Sequence, residues 1–462
     1  MESRTLKYVA EAGGAELISG RPEACVANLC TDSRRVREGD LFVALRGEKH
    51  DAHDYLPEVI SKASAVLVER GREPSPAPGS GCAVLAVDDT RKMLGRLAAA
   101  YRRDFDVPIV AVGGSNGKTT TKELLASMLR QVMPTLWSEE SFNNDIGVPL
   151  TLMRLDAGHR AAVLEVGTNH PGEIEPLVRM AAPRMGIITN IGREHLEHFG
   201  DLEGVLKEEG WLAELLPSDG VLFLNGDAET ADRLAGRSKA RVVRVGLGRA
   251  NEWRVSRVRL DRGGATFRMT GPIESCNGEY RLNLLGKHQV WNAALAIAAA
   301  GNLGLKYADM ARGLGSCAPP RMRMEFWEAH GVRVLDDAYN ANTDSMIAAL
   351  DTLCELPFQG RRVAVLGDMA EQGTQSALAH AEVGRHAALL GIGQLFAVGR
   401  MAADTAQAAR AAGLGRVMEF ADVESAVAAV RGFLKPGDVV LLKASRAARL
   451  ERIAESLRTG RN

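Results

Sequence analysis

The sequence predicts an α/β protein of two to four domains, in which mostly parallel sheets are covered by helices. Short apolar runs, typical of buried strands, alternate with helical stretches along most of the chain, and this alternation favours parallel sheets. The 462 residues are too many for one hydrophobic core, and an apolar content of 46% is enough to fill several. The alternation restarts after the segment CAPPRMRME (317–325), which indicates a second doubly wound domain.

The predicted elements fall into three groups along the chain. The first group has strands over 41–45 and 64–69, a loop rich in Pro, Gly and Ser over 71–81, and a helix over 91–105. The second group has strands over 109–112, 161–167, 186–192 and 221–225, then an antiparallel extension over 253–285 and an alanine-rich helix over 291–304. The third group has a helix over 375–390 and strands over 332–339, 363–369, 395–399, 417–422 and 438–445. We therefore predict domains over 1–106, 107–318 and 319–462.

The composition narrows the classes of partner. The formal net charge is −1, so no basic field exists to attract nucleic acid or an anionic membrane. The six cysteines are scattered without a C-x-x-C pair, which fits reduced thiols in the cytoplasm better than disulfides or a zinc site. No apolar run approaches the roughly 18 residues of a membrane span. We expect a cytoplasmic monomer, not inserted in a membrane, that acts on small molecules.

A phosphate loop is predicted between the strand over 109–112 and the helix that follows it. The segment GGSNGKTT, residues 113–120, offers backbone N–H groups and a helix N-terminus to phosphate oxygens. Lys118 would contact the β and γ phosphates, and the Thr119 hydroxyl would reach Mg²⁺. The general pattern has a glycine five residues before Gly117, where this chain has Val112, so an ordinary nucleotide switch and another chemistry both stay open. The residues assigned to nucleotide binding here are Gly114, Ser115, Asn116, Gly117, Lys118, Thr119 and Thr120.

Two strand ends supply candidate metal ligands. Glu165 lies within an apolar strand, where a carboxylate is unfavourable unless it is paired or bound to a metal. His195 and His198 are three residues apart, so both could lie on one side of a helical turn. Such a pair is more often a surface or core feature, but polar groups collect at the carboxyl edge of a parallel sheet, which favours a metal role. No N-K-x-D segment follows to read guanine, and this weakens the interpretation as a GTPase switch.

Eight motifs in order resemble those of the Mur ligase family of peptidoglycan synthesis. They include GSNGKTTTKE (114–123), LEVGTNHPGEI (164–174), NIGREHLEHFG (190–200), DDAYNAN (336–342) and GDMAEQG (367–373). The similarity covers nearly the whole chain, and the phosphate loop of this family also lacks the upstream glycine. DDAYNAN and GDMAEQG are similar to the branch that adds D-alanyl-D-alanine, and the Asp-Asn-Pro-Arg segment of the diaminopimelate-adding branch is absent.

The resemblance implies a fold and a reaction. It implies a small N-terminal α/β domain for the UDP-sugar, a central P-loop ATPase domain with a mostly parallel sheet, and a C-terminal Rossmann-like domain that closes over the site. It implies that ATP, with Mg²⁺, phosphorylates the carboxylate of UDP-N-acetylmuramoyl-tripeptide, and that the amine of D-alanyl-D-alanine attacks the acyl phosphate. Whether the third residue of the tripeptide is diaminopimelate or lysine stays open.

Positions that match the family's motifs acquire roles by the same resemblance. Thr119 would serve one Mg²⁺, Glu165 and His195 a second, and Lys118, Glu165 and His195 are the implied catalytic residues. The positions implied near adenine, ribose or phosphates are Asn292, Arg323, Asp337 and Asn340. The positions implied on the uridine side are Ser33 and Arg34. The positions implied on the C-terminal substrate side are Lys443, Ser445 and Arg446. Three alternatives stay open, namely Asn340 as a turn residue, Arg323 as a solvated linker charge and Asn292 as a structural helix residue.

One position departs from the family pattern. Mur ligases usually carry in this helix a lysine that reacts with CO₂, and the resulting carbamate helps to bind Mg²⁺. A gap-free alignment from HLEHFG places Glu209 at this position, and Lys207 is two residues away, on roughly the opposite helix face. We expect Glu209 to supply the negative charge permanently, as a further residue of the metal site. The alternative is an exposed Glu209 with Lys207 modified after a register shift.

Two other functions compete with the ligase interpretation. A folylpolyglutamate-type ligase would use the same chemistry, but DDAYNAN and GDMAEQG argue against it. An ATP-gated binding protein would use the nucleotide only as a conformational switch. Phosphate release that requires both the UDP-linked tripeptide and D-alanyl-D-alanine separates the ligase from such a switch.

Overall fold

The computed structural model of the chain describes residues 1–47, 49–74 and 81–459. Its contacts divide the chain into two compact units. The first holds Met1–Ala111, Met133–Thr168 and Glu173–Arg184, and the second holds Val112–Val132, Asn169–Gly172 and the chain from Met185 onward. Residues 75–80 of the predicted loop over 71–81 lie outside the described residues. The two boundaries between the three domains placed from the sequence stay predictions.

The N-terminal part is a small α/β fold, as predicted, and the three central strands of its sheet are buried on both faces. Its elements are β1 (Arg4–Thr5), α1 (Leu6–Gly13), β2 (Glu16–Ser19), β3 (Cys25–Val26), β4 (Asn28–Cys30), β5 (Asp40–Val43), α2 (Leu56–Val59), β6 (Ala65–Glu69), β7 (Ala83–Val87) and α3 (Thr90–Arg102). Five strands form a sheet in the order β2-β7-β6-β5-β4, parallel except for β2, which runs antiparallel to β7. The apolar strand residues pack on a core that includes Phe42, Val66 and Val84.

The central elements follow the predicted alternation. They are β8 (Ile109–Gly113), α4 (Lys118–Leu129), β9 (Thr135–Trp137), α5 (Gly147–Leu152), β10 (Ala161–Glu165), α6 (Ile174–Ala181), β11 (Met185–Ile188), α7 (Leu196–Phe199), α8 (Leu202–Glu209), α9 (Trp211–Glu214), β12 (Val221–Asn225), α10 (Ala231–Arg237), β13 (Arg241–Gly246), β14 (Trp253–Asp261), β15 (Gly264–Thr270), β16 (Gly278–Leu282), α11 (His288–Asn302) and α12 (Tyr307–Ser316). Strands β11 to β14 pair in parallel, and β14, β15 and β16 pair antiparallel. The antiparallel extension predicted over 253–285 is therefore confirmed.

A buried arginine fixes the end of α3 inside the first unit. The Arg102 guanidinium donates to the carbonyl oxygens of Phe105 (2.6 Å), Val107 (2.9 Å) and Ala181 (3.1 Å). Because these bonds replace the water that the buried charge has lost, they compensate its desolvation. The turn that leads into β8, and so toward the phosphate loop, is held in place by them.

The C-terminal elements form the second doubly wound sheet that the sequence predicts. They are β17 (Glu325–Ala329), β18 (Val332–Asp337), α13 (Thr343–Glu355), β19 (Arg362–Gly367), α14 (Ser376–Leu389), β20 (Gln394–Val398), α15 (Ala402–Ala411), β21 (Val417–Phe420), α16 (Val423–Phe433), β22 (Val439–Lys443) and α17 (Glu451–Thr459). The strand order is β17-β18-β22-β19-β20-β21, with only β17 antiparallel. The parallel register places Asp337 beside Lys443 at the carboxyl edge, where ligand sites of such sheets lie.

Within the described residues, helices long and apolar enough to cross a bilayer are absent.

Candidate active site

The phosphate loop joins β8 to α4, as predicted, and its conformation explains the displaced glycine. Gly114 has φ of +105°, and a Cβ there would stand 2.5 Å from Thr189 Oγ1 and 2.8 Å from the Asn190 carbonyl oxygen. Only glycine combines this backbone with this close approach. Val112 lies one residue inside the buried strand β8, so its side chain fills the core and leaves the loop to Gly114.

Hydrogen bonds tie the loop to the segment that follows β11. The backbone N–H groups of Ser115 and Asn116 donate to the carbonyl oxygen (2.9 Å) and to side-chain Oδ1 (3.0 Å) of Asn190. Asn190 Nδ2 donates in return to the Asn116 carbonyl oxygen (3.0 Å), and the Gly192 N–H donates to Ser115 Oγ (2.8 Å). The loop is therefore held in shape by a second strand end.

Lys118 is the first residue of α4 and turns back over the loop. Its Nζ donates to the carbonyl oxygens of Gly114 (2.5 Å) and Ser115 (3.1 Å) and lies 3.4 Å from Glu194 Oε2. Thr119 and Thr120 are buried at the start of the same helix. The ammonium therefore lies over the loop, and its predicted contact with the β and γ phosphates stays a prediction.

Two carboxylates near Lys118 are buried, those of Glu194 and Glu209. Glu209 ends α8 with its side chain fully buried, and its Oε2 accepts the Gly114 N–H (2.7 Å). Burial raises the pKa of Glu209 to about 7; Lys118 and the Gly114 N–H oppose the rise, and Glu194 adds to it. Lys207, by contrast, is exposed. The alternative of an exposed Glu209 is therefore wrong, because that carboxylate, and not Lys207, faces the phosphate loop.

The donor set at this place fits a hard divalent cation. Glu194 Oε1 and Glu209 Oε1 are buried, and neither has a hydrogen-bond partner among the described residues. A buried carboxylate oxygen without a partner is unfavourable unless a ligand completes it. Carboxylate oxygens and a threonine hydroxyl at a phosphate loop are the protein ligands that Mg²⁺ prefers. A set of three or more His, Cys, Asp or Glu side chains already arranged around a metal position is not found in the described part of the chain.

His195 lies directly after Glu194 and is oriented by the C-terminal sheet domain. It has φ of +49°, and its Nδ1 is paired with Glu371 in the GDMAEQG motif. This pairing lowers the pKa of Glu371. Nε2 of His195 remains on the side of Glu194, 3.9 Å from its Oε2. A carboxylate that holds one ring nitrogen and so points the other is the usual support of a ligating histidine. His198 instead stacks on His170, with ring centroids 3.9 Å apart.

Glu165 ends β10 in the first unit, buried as the sequence predicts. Its Oε1 accepts a hydrogen bond from Asn143 Nδ2 (3.0 Å), and its backbone N–H donates to Ser138 Oγ (3.1 Å). Asn143 belongs to the segment SFNNDIG (141–147). The predicted role of Glu165 at Mg²⁺ stays a prediction.

The candidate residues at the edge of the C-terminal sheet form one connected group. Lys443 Nζ donates to Asp337 Oδ2 (2.5 Å) and to the Asn340 carbonyl oxygen (3.2 Å), and its side chain is only 3% exposed. Ser445 Oγ accepts the Ala370 N–H (2.8 Å) and donates to the Ala341 carbonyl oxygen (3.2 Å). These bonds fasten the loops after β18, β19 and β22 to one another.

The remaining candidates differ in their surroundings. The Arg323 guanidinium lies 4.2 Å from the ring centroid of Tyr339, and Arg446 Nη1 lies 3.1 Å from Met322 Sδ. Asn292 is buried on α11, where its Nδ2 donates to Gln289 Oε1 (2.9 Å).

On the predicted uridine side, Ser33 and Arg34 belong to a turn of the first unit. Arg34 is exposed and donates to both carboxylate oxygens of Asp32, at 2.9 and 2.8 Å. These bonds lower the pKa of Asp32 to about 2.

Several residues that the structure adds to the site were not predicted. Glu194, Arg193 and Glu371 lie inside the motifs NIGREHLEHFG and GDMAEQG, so the motifs held the signal, but they did not say which side chains point to the loop. Asn342, the last residue of DDAYNAN, donates from Nδ2 to Asn116 Oδ1 (3.0 Å). The two motifs of the C-terminal sheet domain therefore contact the phosphate loop and the segment beside it.

Comparison with known proteins relates the whole chain to one kind of ligase. Residues 112–300 match the Mur ligase middle domain, and residues 322–446 match the Mur ligase glutamate ligase domain. The chain is 34% identical over 461 residues to UDP-N-acetylmuramoyl-tripeptide–D-alanyl-D-alanine ligase of Bacillus subtilis (strain 168), with 99% of each chain covered. The crystal structure of MurF from Acinetobacter baumannii is similar with a TM-score of 0.89 at 30% identity, over 99% of both chains. MurF ligase from Thermotoga maritima in complex with ADP is similar with a TM-score of 0.81 at 25% identity, over 93% of this chain and 96% of that one.

Proposed function

The chain belongs to the Mur ligase family, and from this premise we propose that it adds D-alanyl-D-alanine to UDP-N-acetylmuramoyl-tripeptide at the expense of ATP. One geometric observation carries the proposal: the two motifs typical of the D-alanyl-D-alanine-adding branch contact the phosphate loop and its neighbour. Asn342 of DDAYNAN binds Asn116, and Glu371 of GDMAEQG binds His195. A ligase needs this juxtaposition, because nucleotide and amine substrates must meet at one carboxylate.

The proposed reaction has two steps. In the first, an oxygen of the tripeptide carboxylate attacks the γ-phosphorus of ATP, and ADP leaves. In the second, the free amine of D-alanyl-D-alanine attacks the acyl carbon, phosphate leaves with the C–O electron pair, and the amine loses a proton. The first step brings two anions together, so a positive charge between them is the main requirement.

Lys118 meets this requirement in the phosphate loop. Its ammonium is held by two loop carbonyl oxygens and by Glu194, and these contacts keep the positive charge at the loop. Backbone N–H groups at the N-terminus of α4 add to the positive potential. We propose Gly114, Ser115, Asn116, Gly117, Thr119 and Thr120 as the other contacts of the phosphates.

We propose that Thr119 serves one Mg²⁺, and that His195 and Glu209, with Glu194 beside them, hold a second. A bound Mg²⁺ would neutralise charge on the γ-phosphate and on the substrate carboxylate. The partnerless oxygens of Glu194 and Glu209 support this proposal, and the Glu371 contact would keep His195 in the required orientation. The sequence adds Glu165 as a further ligand.

Glu209 would make the ligase independent of CO₂. Its carboxyl group needs only to lose a proton to become anionic, which a bound Mg²⁺ would favour, whereas the family's lysine has to be carbamylated first. The side chain reaches the loop directly, since Oε2 binds the Gly114 N–H. We propose that this chain needs no bicarbonate for full activity.

The other candidate residues receive roles on the substrate sides. We propose Asn292, Arg323, Asp337 and Asn340 for the adenosine part of ATP. Ser33 and Arg34 are proposed for the uridine, and Lys443, Ser445 and Arg446 for the C-terminal substrate side. We place the reaction in the cytoplasm, because that is where ATP is available.

Phosphate release with substrates omitted one at a time tests the proposal. We expect release only when ATP, UDP-N-acetylmuramoyl-tripeptide and D-alanyl-D-alanine are all present. Glutamate with a folate substrate serves as the control for a folylpolyglutamate-type ligase. Release that is indifferent to the tripeptide and the dipeptide would instead fit an ATP-gated binding protein and refute the ligase.

A further inference from the structure

We propose that Arg193 is a positioning residue that couples the phosphate loop to helix α13 of the C-terminal sheet domain. Phosphate binding at the loop would then fix that helix, and with it the DDAYNAN motif, for catalysis. The kinetic consequence rests on the proposed ligase function, but the coupling itself does not.

Arg193 connects two helices of the C-terminal sheet domain. Its Nε and Nη2 donate to Asp344 Oδ1 at 2.9 and 2.6 Å, and its backbone N–H donates to Asp344 Oδ2 at 2.7 Å. Its Nη1 and Nη2 donate to the two carboxylate oxygens of Glu382 at 2.7 and 3.1 Å. Asp344 lies in the first turn of α13, and Glu382 lies on α14.

The chain segment that leads into Arg193 is hydrogen-bonded to the phosphate loop. The three preceding residues include Asn190 and Gly192, which bind the backbone of Ser115 and Asn116 and the side chain of Ser115. The start of α13 also reaches the loop directly, through the bond from Asn342 Nδ2 to Asn116 Oδ1. Loop and helix are therefore joined at two points, and a shift of one is passed to the other.

The geometry favours a role in orientation over a role in stability. The Arg193 side chain is 29% exposed, and those of Asp344 and Glu382 are 37% and 38% exposed, so solvent screens each pair. The planar guanidinium nevertheless fixes both carboxylates in direction, because it bonds each through two N–H groups. Asn342 caps α13 through a reciprocal pair of bonds with Ser345, which fixes the geometry of the helix start.

Hydrogen exchange tests the coupling without any ligase substrate. We would measure exchange in peptides covering 342–350, with and without the ATP analogue β,γ-imido-ATP and Mg²⁺, in the wild-type chain, Arg193→Gln and Arg193→Lys. Arg281→Gln is the matched control, since Arg281 also binds a carboxylate, that of Asp261, through two N–H groups, but in the antiparallel extension.

The proposal expects the analogue to slow exchange at 342–350 in the wild-type chain and in Arg281→Gln. In Arg193→Gln this response should be lost, and Arg193→Lys should recover part of it. In the ligase assay, Arg193→Gln should lower kcat about tenfold, within the usual range of coupling between sites, with KM for the UDP-tripeptide nearly unchanged. An undiminished exchange response in Arg193→Gln would overturn the proposal. A wild-type chain without ligase activity would overturn the proposed function and leave the exchange result intact as a test of the coupling.

Discussion

The substitution Glu209→Gln separates a functional charge from a structural one. Glutamine keeps the size of the side chain and an oxygen that can accept the Gly114 N–H, but it removes the negative charge beside Lys118. We expect kcat of the ligase reaction to fall about 100-fold, the usual effect of removing one preorganised electrostatic group. Glu208→Gln is the control, because Glu208 is also buried on α8 but accepts a hydrogen bond from the Gly172 N–H (2.9 Å) instead.

The same substitution should stabilise the chain. Burial raises the pKa of Glu209 from the ordinary 4.5 to about 7, so ionisation is opposed in the folded state. Above pH 7 this lowers the free energy of unfolding by roughly 3 kcal/mol relative to a neutral isostere, and the effect vanishes below about pH 4.5, where the carboxyl is protonated in both states. Thermal unfolding at pH 8 in EDTA should therefore show a higher Tm for Glu209→Gln than for the wild-type chain.

A third variant relates Glu209 to the family's lysine. Glu209→Lys should be active only when bicarbonate is supplied, and the wild-type chain should be indifferent to bicarbonate. The account of Glu209 is wrong if Glu209→Gln keeps activity within twofold of the wild type, or if mass spectrometry finds a carbamate on Lys207.

Three further substitutions test the site and its support. Gly114→Ala should abolish measurable ATP binding and lower the free energy of unfolding by at least about 1–2 kcal/mol. The reason is that φ at Gly114 is +105° and a Cβ would clash with Thr189 and Asn190. ATP binding equal to that of the wild type in calorimetry would contradict the loop geometry. Asp336→Asn should raise the free energy of unfolding at pH 8 but not at pH 4. Burial raises the pKa of Asp336 to about 6, so ionisation above that pH lowers the free energy of unfolding by roughly 2–3 kcal/mol. A stability gain in urea unfolding that is independent of pH would refute this cause. Lys443→Met should lower the free energy of unfolding by about 3 kcal/mol, since it leaves Asp337 without its buried partner. Lys443→Arg should recover part of this loss. An unchanged midpoint of urea unfolding for Lys443→Met would show that the pair is not needed for stability.

The sequence predicts those parts of the site that are local along the chain. Strand β8, the glycine turn and helix α4 follow one another within about 20 residues, so their pattern alone places Lys118 and Thr119. The helix period also separates Glu209 from Lys207, but it does not say which of the two is buried, and the structure shows that it is Glu209.

The contacts between distant segments could not be predicted. Arg193 and Asp344 are 151 residues apart, and Asn116 and Asn342 are 226 apart, so hydrophobic periodicity carries no signal for either pair. The edge strand β17 escaped prediction for a different reason. Its five residues EFWEA are all half-buried or exposed, and so lack the apolar run by which the other strands were recognised.

Single-turnover phosphate release is the decisive measurement for the ligase reaction. The wild-type chain would first be mixed with ATP and Mg²⁺. UDP-N-acetylmuramoyl-tripeptide and D-alanyl-D-alanine would then be added separately and together. The tripeptide would be tested with diaminopimelate and with lysine as its third residue. We expect one phosphate and one new amide bond per turnover only when D-alanyl-D-alanine is present together with at least one of the two tripeptides. Phosphate release without amide formation, or equal release in the absence of either substrate, would contradict it.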